Sequence, residues 1–205
     1  MNYVENMVER YPELTACKNE VALAINAVVD CYNAGGKILI CGNGGSAADA
    51  EHISGELLKG FLSKRPVTGA ELSALSAELG DAAEKLQRGI PAVPLTSLSA
   101  ALSAFANDVD PELVFAQLVF ALGKENDLVV GLSTSGNSKN VVKALEVAKA
   151  RGIKTVAMTG ASGGRLAEIA DITVKAPATE TYKVQEYHLP IYHAICAEAE
   201  RLIFG

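Results

Sequence analysis

The stretch KILICGNGGSAADAEH, residues 37–52, places an apolar run directly before a glycine-rich loop, and a histidine follows within two helical turns. KILIC is typical of a short buried strand, and the residues after the glycines are typical of a helix. Glycines let the backbone adopt positive φ and approach a ligand closely. The first amides of a helix that begins at Gly45 or Ser46 have no partners within that helix. We therefore expect this loop to bind an anion or a sugar hydroxyl, with a plain strand-to-helix turn as the alternative.

A second polar loop, LSTSGNSKN at residues 132–140, is the stronger candidate for a phosphate site. It presents four hydroxyls around Gly136: Ser133, Thr134, Ser135 and Ser138. Hydroxyls and backbone amides together can satisfy the oxygens of a phosphate. The alternative is simple helix capping by Ser135, Asn137 or Ser138, but a cap needs one such residue.

Neither loop has the pattern of a nucleotide site. No lysine follows the glycines of residues 42–45, as a P-loop requires, and the GxGxxG spacing of a dinucleotide site is absent. We therefore expect no nucleotide cofactor.

Strand and helix patterns alternate from residue 37 onward. The predicted strands are 37–41, 91–96, 127–133, 154–160 and 171–177. The predicted helices are 1–34, divided near Pro12, then 46–60, 111–123, 138–152, a short one before residue 171, and 183–204. This alternation predicts an α/β fold, a three-layer α/β/α sandwich with a doubly wound, central parallel sheet. Ligands of such sheets bind at the carboxyl ends of the strands, where both polar loops fall.

The composition excludes several classes of function. The 205 residues are 49% hydrophobic and carry a formal net charge of −6, so the chain can bury a core but has no basic surface for nucleic acid. No apolar stretch approaches the roughly 20 residues of a membrane span, and the first residues lack the apolar core of a signal peptide. The four cysteines have no metal-binding spacing, so we expect free, buried thiols.

Residues 62–89 form an additional segment between the first loop's helix and the second strand. Leu72, Leu75, Leu79, Ala82 and Leu86 have the spacing of one amphipathic helix. We expect a surface helix packed on the body or on a neighbouring subunit, with a lid over the site as the alternative.

The three histidines fall in two short segments. His52 and Glu56 are four residues apart on one helix and share a face. Gln185, His188 and His193 lie in the last helix. This set can bind a divalent metal or serve as an acid and a base.

Helix geometry limits which of these residues can share one site. Gln185 and His193 are eight residues apart, about 12 Å along a regular helix. Either Gln185 precedes the regular helix or a second subunit completes the site, and Pro190 can distort the helix.

Three motifs together, GNGGSAADAEH, LSTSGNS and VQEYHLPIYH, resemble the sugar isomerase (SIS) domain of bacterial phosphoheptose isomerases. The resemblance covers the whole chain, 1–205, as a single domain except the inserted segment 62–89. It implies an intramolecular oxidoreductase that converts sedoheptulose 7-phosphate to D-glycero-D-manno-heptose 7-phosphate through an enediol. It also implies a cytoplasmic homotetramer of carbohydrate metabolism with active sites at subunit interfaces, and one bound zinc ion per subunit.

The same resemblance implies roles for individual residues. Glu56 would be the base and His193 its acid/base partner. The implied zinc ligands are His52, Glu56, Gln185 and His193. The implied substrate contacts are Asn43, Gly44, Gly45, Ser46, Glu56, Asn107, Asp108, Ser133, Thr134, Ser135, Ser138, Glu180 and Gln185. Glu180 stands where the family often has Asp.

Two other functions stay open at this stage. SIS-domain proteins also include regulatory or assembly proteins that bind a phosphosugar without catalysis. The other open function is an isomerase of another sugar phosphate, such as a six-carbon one.

Overall fold

A five-stranded parallel sheet forms the centre of the computed structural model, which describes residues 2–205. The strands are β1 (Ile38–Cys41), β2 (Ala92–Pro94), β3 (Leu128–Ser133), β4 (Lys154–Thr159) and β5 (Ile172–Lys175). Their order is β2-β1-β3-β4-β5, and every neighbouring pair is parallel. All residues of β1 and β3 are buried, which explains their continuous apolar sequences.

Helices cover both faces of this sheet. The α-helices of the described residues are α1 (Tyr3–Arg10), α2 (Lys18–Asn33), α3 (Gly45–Leu58), α4 (Gly69–Leu79), α5 (Ser99–Asp108), α6 (Val114–Leu122), α7 (Lys139–Ala150), α8 (Gly164–Ile169) and α9 (Thr181–Phe204). One core lies under α1, α2, α3 and α9, and it includes Ile38 and Ile40. The other lies under α6, α7 and α8, and it includes Leu39 and Cys41. Alternate residues of β1 thus face opposite cores, and the predicted three-layer fold is confirmed.

The strand order creates a crevice between β1 and β3. From β1 the chain passes to β2 on one side, and it returns to place β3 on the other side. The loops after β1 and β3 therefore leave neighbouring strands at the same sheet edge, at the reversal of strand order. Sheets of this order bind ligands at that point. Both polar loops of the sequence lie there.

The predicted elements agree with the structure except for two segments. Pro12 begins a 3₁₀ turn, Pro12–Cys17, between α1 and α2, and all four cysteines are buried free thiols. The edge position of β2 accommodates its prolines. Helix α5 was not predicted from the sequence, because it is rich in serine and alanine and buries no residue.

Within residues 2–205, no helix combines the length and apolar character of a membrane span.

The inserted segment differs from the single amphipathic helix that we expected. Helix α4 ends at Leu79 because Gly80 adopts a φ of +57°. A 3₁₀ turn, Gly80–Lys85, follows, and its buried residue is Ala83 rather than Ala82. No residue of α4 is buried, so the prediction that this helix packs on the body of its own chain is wrong. Contact with a neighbouring subunit and a lid remain predictions.

Candidate active site

The loop after β1 has the backbone geometry that its glycines predicted. Gly44 adopts a φ of +55° and immediately precedes α3, which begins at Gly45 without a side-chain cap. A Cβ atom on Gly45 would lie 2.5 Å from Nε2 of Gln185, so the Gln185 side chain packs directly on this glycine. The side chain of Ser46 is buried beside them, whereas Asn43 is exposed. The start of α3 is therefore an open helix N-terminus next to a glutamine amide.

The loop after β3 holds the four predicted hydroxyls in a compact turn. Oγ of Ser133 lies 2.9 Å from Oγ of Ser138, and Oγ of Ser135 accepts from the Asn137 amide at 3.2 Å. Gly136 has a φ of +70° and touches the Gly163 carbonyl so closely that a Cβ atom would not fit. Ser138 occupies the N-cap position of α7, but its side chain makes no capping hydrogen bond. Ser138 therefore does not act as a side-chain cap of α7.

A pair of asparagines joins the two loops. Nδ2 of Asn43 donates to Oδ1 of Asn140 at 2.9 Å, and Nδ2 of Asn140 donates to Oδ1 of Asn43 at 2.9 Å. This reciprocal bond ties the β1 loop to the first turn of α7. Asn140 carries no local signal in the sequence that would predict this role, because its partner lies 97 positions away in the chain.

A second group of site residues lies further along α3 and α9. Nε2 of His52 is 3.3 Å from Oε1 of Glu56, and the rings of His52 and His193 have centroids 5.1 Å apart. Nζ of Lys59 lies 2.9 Å from the other carboxylate oxygen of Glu56. The predicted shared face of His52 and Glu56 is confirmed, and His193 joins them from α9.

The charges around this cluster set its protonation. Burial acts to raise the pKa of Glu56, but Lys59 and His52 together outweigh it and hold the pKa below its ordinary value. Burial, followed by the neighbouring His52 ring, lowers the pKa of His193. At neutral pH the cluster therefore combines an ionised carboxylate with a neutral His193 imidazole.

Within one chain, the start of α3 at Gly45 lies far from the cluster of His52, Glu56 and His193. Glu56 is eleven residues after Gly45, which is about 16 Å along α3. Helix α9 runs unbroken through Pro190, so the suggestion that Gln185 precedes the regular helix is wrong. Gln185 lies at Gly45, whereas His193 lies at His52. The four predicted zinc ligands therefore do not come together.

The donors of one chain do not fit a zinc ion. Among residues 2–205, no three His, Cys, Asp or Glu side chains are arranged to hold a metal. Nε2 of His193 is buried without a hydrogen-bond partner in the described chain, so this nitrogen is free to bind a metal ion. Three of the predicted ligands are neighbours, but their present arrangement is not a coordination shell.

The remaining predicted residues occupy other places. Nδ2 of Asn107 donates to Oδ1 of its neighbour Asp108 at 2.8 Å, and both residues are exposed at the end of α5. Glu180 precedes α9 and pairs with Lys183 at 2.7 Å, which lowers its pKa to about 2. His188 is fully buried and contacts the Thr159 carbonyl, so it does not join the other two histidines.

Sequence reasoning also missed two residues next to His52. The Tyr192 hydroxyl lies 2.9 Å from Nδ1 of His52 and 3.4 Å from Oδ1 of Asp49. Asp49 precedes His52 by three positions on α3, so helical spacing alone could have indicated it. Tyr192 had no comparable signal, because its partners lie 140 and 143 positions away.

Comparisons with known proteins define the class to which this site belongs. Two family models, both described as SIS domain, match residues 95–197 and 2–88. The phosphoheptose isomerase of Aneurinibacillus thermoaerophilus is 42% identical over 176 residues, which are 86% of this chain and 78% of that protein. The chain belongs to the phosphoheptose isomerase family of SIS-domain proteins, and it is an isomerase.

Solved structures of the same family share the fold. A phosphoheptose isomerase from Francisella tularensis matches with a TM-score of 0.77 and 31% identity, over 97% of this chain and 95% of that one. The phosphoheptose isomerase of Neisseria gonorrhoeae matches with a TM-score of 0.70 and 32% identity, over 94% and 97%.

Proposed function

We propose that this protein converts sedoheptulose 7-phosphate to D-glycero-D-manno-heptose 7-phosphate by proton transfer through an enediol. The observation that carries this proposal is the cluster in which the Glu56 carboxylate lies 3.3 Å from His52, with His193 beside that ring. Ketose–aldose interchange needs one group that takes a proton from carbon and one that serves the carbonyl oxygen. The family names of its relatives agree with this substrate.

Glu56 is the proposed base and His193 its acid/base partner. Glu56 takes a proton from C1 of the ketose while the imidazole N–H of His193 donates one to the oxygen on C2, which gives the 1,2-enediol. Glu56 then gives its proton to C2. The hydroxyl on C1 gives its proton to His193, and the aldose forms. The lowered pKa of Glu56 keeps its carboxylate ionised to start this cycle, and the lowered pKa of His193 keeps its imidazole uncharged.

The loop after β3 is the proposed phosphate site. Its four hydroxyls and the first amides of α7 lie at the point where this strand order binds ligands. The proposed substrate contacts in this region are Asn43, Gly44, Gly45, Ser46, Ser133, Thr134, Ser135, Ser138 and Gln185. Asn107, Asp108 and Glu180 remain proposed contacts that lie outside both groups.

A second copy of the chain would complete the site. Gly45, where the first loop meets α3, and Glu56 are separated along this helix by about 16 Å, so the two ends of α3 contact different parts of one chain's surface. In keeping with the resemblance to phosphoheptose isomerases, we propose a cytoplasmic homotetramer with active sites at subunit interfaces, built from single domains that span 1–205. Zinc at His52, Glu56, Gln185 and His193 is part of this proposal only for the assembled protein. When bound, it would polarise the carbonyl.

Paired substitutions test the proposed base. Glu56→Gln keeps the shape of the side chain but cannot accept the proton, so turnover should fall by about 10³-fold or more. Glu51→Gln is the matched control and should retain wild-type turnover, because Glu51 lies exposed on the same helix and pairs, within residues 2–205, with Thr96 and Ser97 alone. Equal turnover in both variants would remove Glu56 from the mechanism.

A second pair of variants tests the acid. His193→Gln should lose turnover, whereas His188→Gln changes a histidine that is buried away from the cluster and should retain it. Turnover on five-, six- and seven-carbon ketose phosphates then identifies the sugar. A folded wild-type protein that binds these sugars but turns none of them over would favour the non-catalytic alternative.

A further inference from the structure

The loop after β4, residues 160–164, packs against the phosphate loop that follows β3. The Gly160 amide donates to the Thr134 carbonyl at 3.0 Å, and the Leu166 amide of α8 donates to the Gly136 carbonyl at 2.9 Å. Because β3 and β4 are parallel neighbours, both loops leave the sheet at the same edge. The backbones of the two segments are therefore hydrogen-bonded to each other at two places.

The side chain of Asn137 joins these segments at a third place. Its Oδ1 accepts from the Arg165 amide at 2.9 Å, and its Nδ2 donates to the Ser135 carbonyl at 3.0 Å. The Asn137 amide also donates to Oγ of Ser135 at 3.2 Å, which leaves the hydrogen of that hydroxyl free for a ligand. Asn137 thus holds the phosphate loop to the start of α8 and orients one of its hydroxyls.

Glycines allow the two backbones to approach this closely. A Cβ atom on Gly164 would lie 2.5 Å from the Ser135 carbonyl oxygen and 2.8 Å from Nδ2 of Asn137. From the other side, a Cβ atom on Gly136 would collide with the Gly163 carbonyl. A side chain at either glycine would therefore push the two loops apart.

We propose that the loop after β4 is a positioning element of the phosphate site, with Asn137 as the side chain that joins it to the phosphate loop. The proposal rests on the proposed phosphate site, but not on the reaction. In the proposed substrate the proton moves between C1 and C2, whereas the phosphate is on C7. Phosphate contacts of this kind hold the ground state and the transition state alike, so their loss raises KM and leaves kcat nearly unchanged.

The first test perturbs only the loop after β4. Gly164→Ala changes no residue of the phosphate loop, but its Cβ would displace that loop. Gly152→Ala is the matched control, because Gly152 has a φ of +69°, similar to the +51° of Gly164, but lies in open space beyond the end of α7. Both substitutions strain the backbone. Gly164→Ala should raise KM by about 10-fold or more with kcat within about 2-fold of wild type, and Gly152→Ala should change neither constant.

The second test removes the side chain that joins the loops. Asn137→Ala loses the bonds to the Arg165 amide and to the Ser135 carbonyl, and it should raise KM about 10-fold, because each such bond contributes a factor of a few. Asn126→Ala is the matched control. Asn126 is also exposed, and its Nδ2 donates to the Ala34 carbonyl at 3.2 Å, but it precedes β3 at the opposite edge of the sheet. Its loss should leave KM at the wild-type value.

Two further readouts do not depend on isomerase activity. Binding of inorganic phosphate, measured by calorimetry, should weaken about 10-fold in Gly164→Ala and Asn137→Ala and in neither control. Hydrogen exchange of the Leu166 amide, measured by NMR, should be at least about 5-fold faster in Asn137→Ala, although this substitution leaves the donor and the acceptor of that bond in place.

The outcomes separate this proposal from the proposed function. Wild-type affinity for phosphate in Gly164→Ala and Asn137→Ala would overturn the positioning role, even in an active isomerase. An equal loss of affinity in these variants and their controls would also overturn it, because a general loss of stability would explain that result. Weaker phosphate binding in the two variants of a protein without isomerase activity would leave the positioning role standing and refute the proposed reaction instead. Wild-type protein that binds neither inorganic phosphate nor a sugar phosphate would refute the phosphate site and the positioning role together.

Discussion

Replacement of Arg65 by alanine should be among the most destabilising single substitutions in this chain. Nε of Arg65 lies 2.6 Å from Oε1 of Glu200, and both side chains are almost completely buried, at 0% and 4% exposure. The guanidinium also donates to the Leu57 carbonyl at 2.7 Å and to the Glu56 carbonyl at 3.2 Å. It thus caps the end of α3 at the backbone of the proposed base, and it joins that end to α9.

The size of the effect follows from what the substitution leaves behind. Glu200 keeps the backbone amides of residues 61, 62 and 63 as donors, at 2.8, 2.8 and 3.0 Å, but loses its only charged partner in the described residues. Removing one member of a buried ion pair costs about 3–5 kcal/mol. The backbone of Arg65 also has a φ of +44°, which the alanine variant would keep without the contacts that maintain it.

Urea unfolding followed by circular dichroism measures this loss. At a slope of about 2 kcal/mol per molar urea, the midpoint of Arg65→Ala should fall by about 1.5–2.5 M. Arg165→Ala is the matched control, because Arg165 pairs with Glu168 at 2.7 Å but is 50% exposed, and its midpoint should stay near the wild-type value. A shift below about 0.5 M for Arg65→Ala would refute the reasoning that this pair joins α3 to α9.

Three further predictions follow from other contacts. Burial lowers the pKa of His188 to about 4, below the ordinary value of about 6.5, so its contribution to stability is complete above about pH 6.5 and is lost as the pH falls towards 4. His188→Gln should remove a pH dependence on the order of 3 kcal/mol in the free energy of unfolding, measured by urea titrations across that range. Gly136→Ala should raise KM at least about 10-fold with a smaller change in kcat, because its Cβ would collide with the Gly163 carbonyl and displace the phosphate loop. Inorganic phosphate binding by calorimetry should weaken in parallel, and unchanged binding would contradict this site. Asn140→Ala should raise KM by about 5- to 10-fold through the loss of the reciprocal bond with Asn43, and steady-state kinetics that match wild type would exclude that bond from substrate positioning.

The sheet could be predicted from sequence because its signals are local. Each strand is a short apolar run that ends at a glycine or polar loop, and each helix that covers the sheet carries a buried stripe. Helix α5 has no such stripe, which is why it escaped prediction. In the inserted segment the apolar spacing continued past Gly80, but the positive φ of that glycine ends the helix first.

The site could be predicted only where its residues are close in sequence. The pairing of His52 with Glu56 follows from helical spacing, and the hydroxyls of the β3 loop are consecutive in the chain. Contacts between distant segments left no local signal. The Arg65–Glu200 pair and the bond between Tyr192 and His52 join residues 135 and 140 positions apart.

The expected distance between Gln185 and His193 decided between two ways of completing the site, an irregular start of the last helix or a second subunit. A regular helix places eight residues about 12 Å apart, and α9 is regular through Pro190. The unbroken helix removes one of the two alternatives, and completion of the site by a second subunit remains the prediction. Size-exclusion chromatography with light scattering should give a mass near four times 21.4 kDa. A monomer with full activity would contradict it.

Proton exchange during turnover tests the enediol reaction most directly. Purified protein is incubated with sedoheptulose 7-phosphate in D₂O, with and without a chelator, and NMR follows deuterium at C1 and C2 together with aldose formation. We predict deuterium incorporation with aldose product in wild-type protein and neither in Glu56→Gln, and loss on chelation would make the metal essential. Neither exchange nor product from folded wild-type protein that still binds the sugar phosphate would contradict the proposed isomerisation of this sugar.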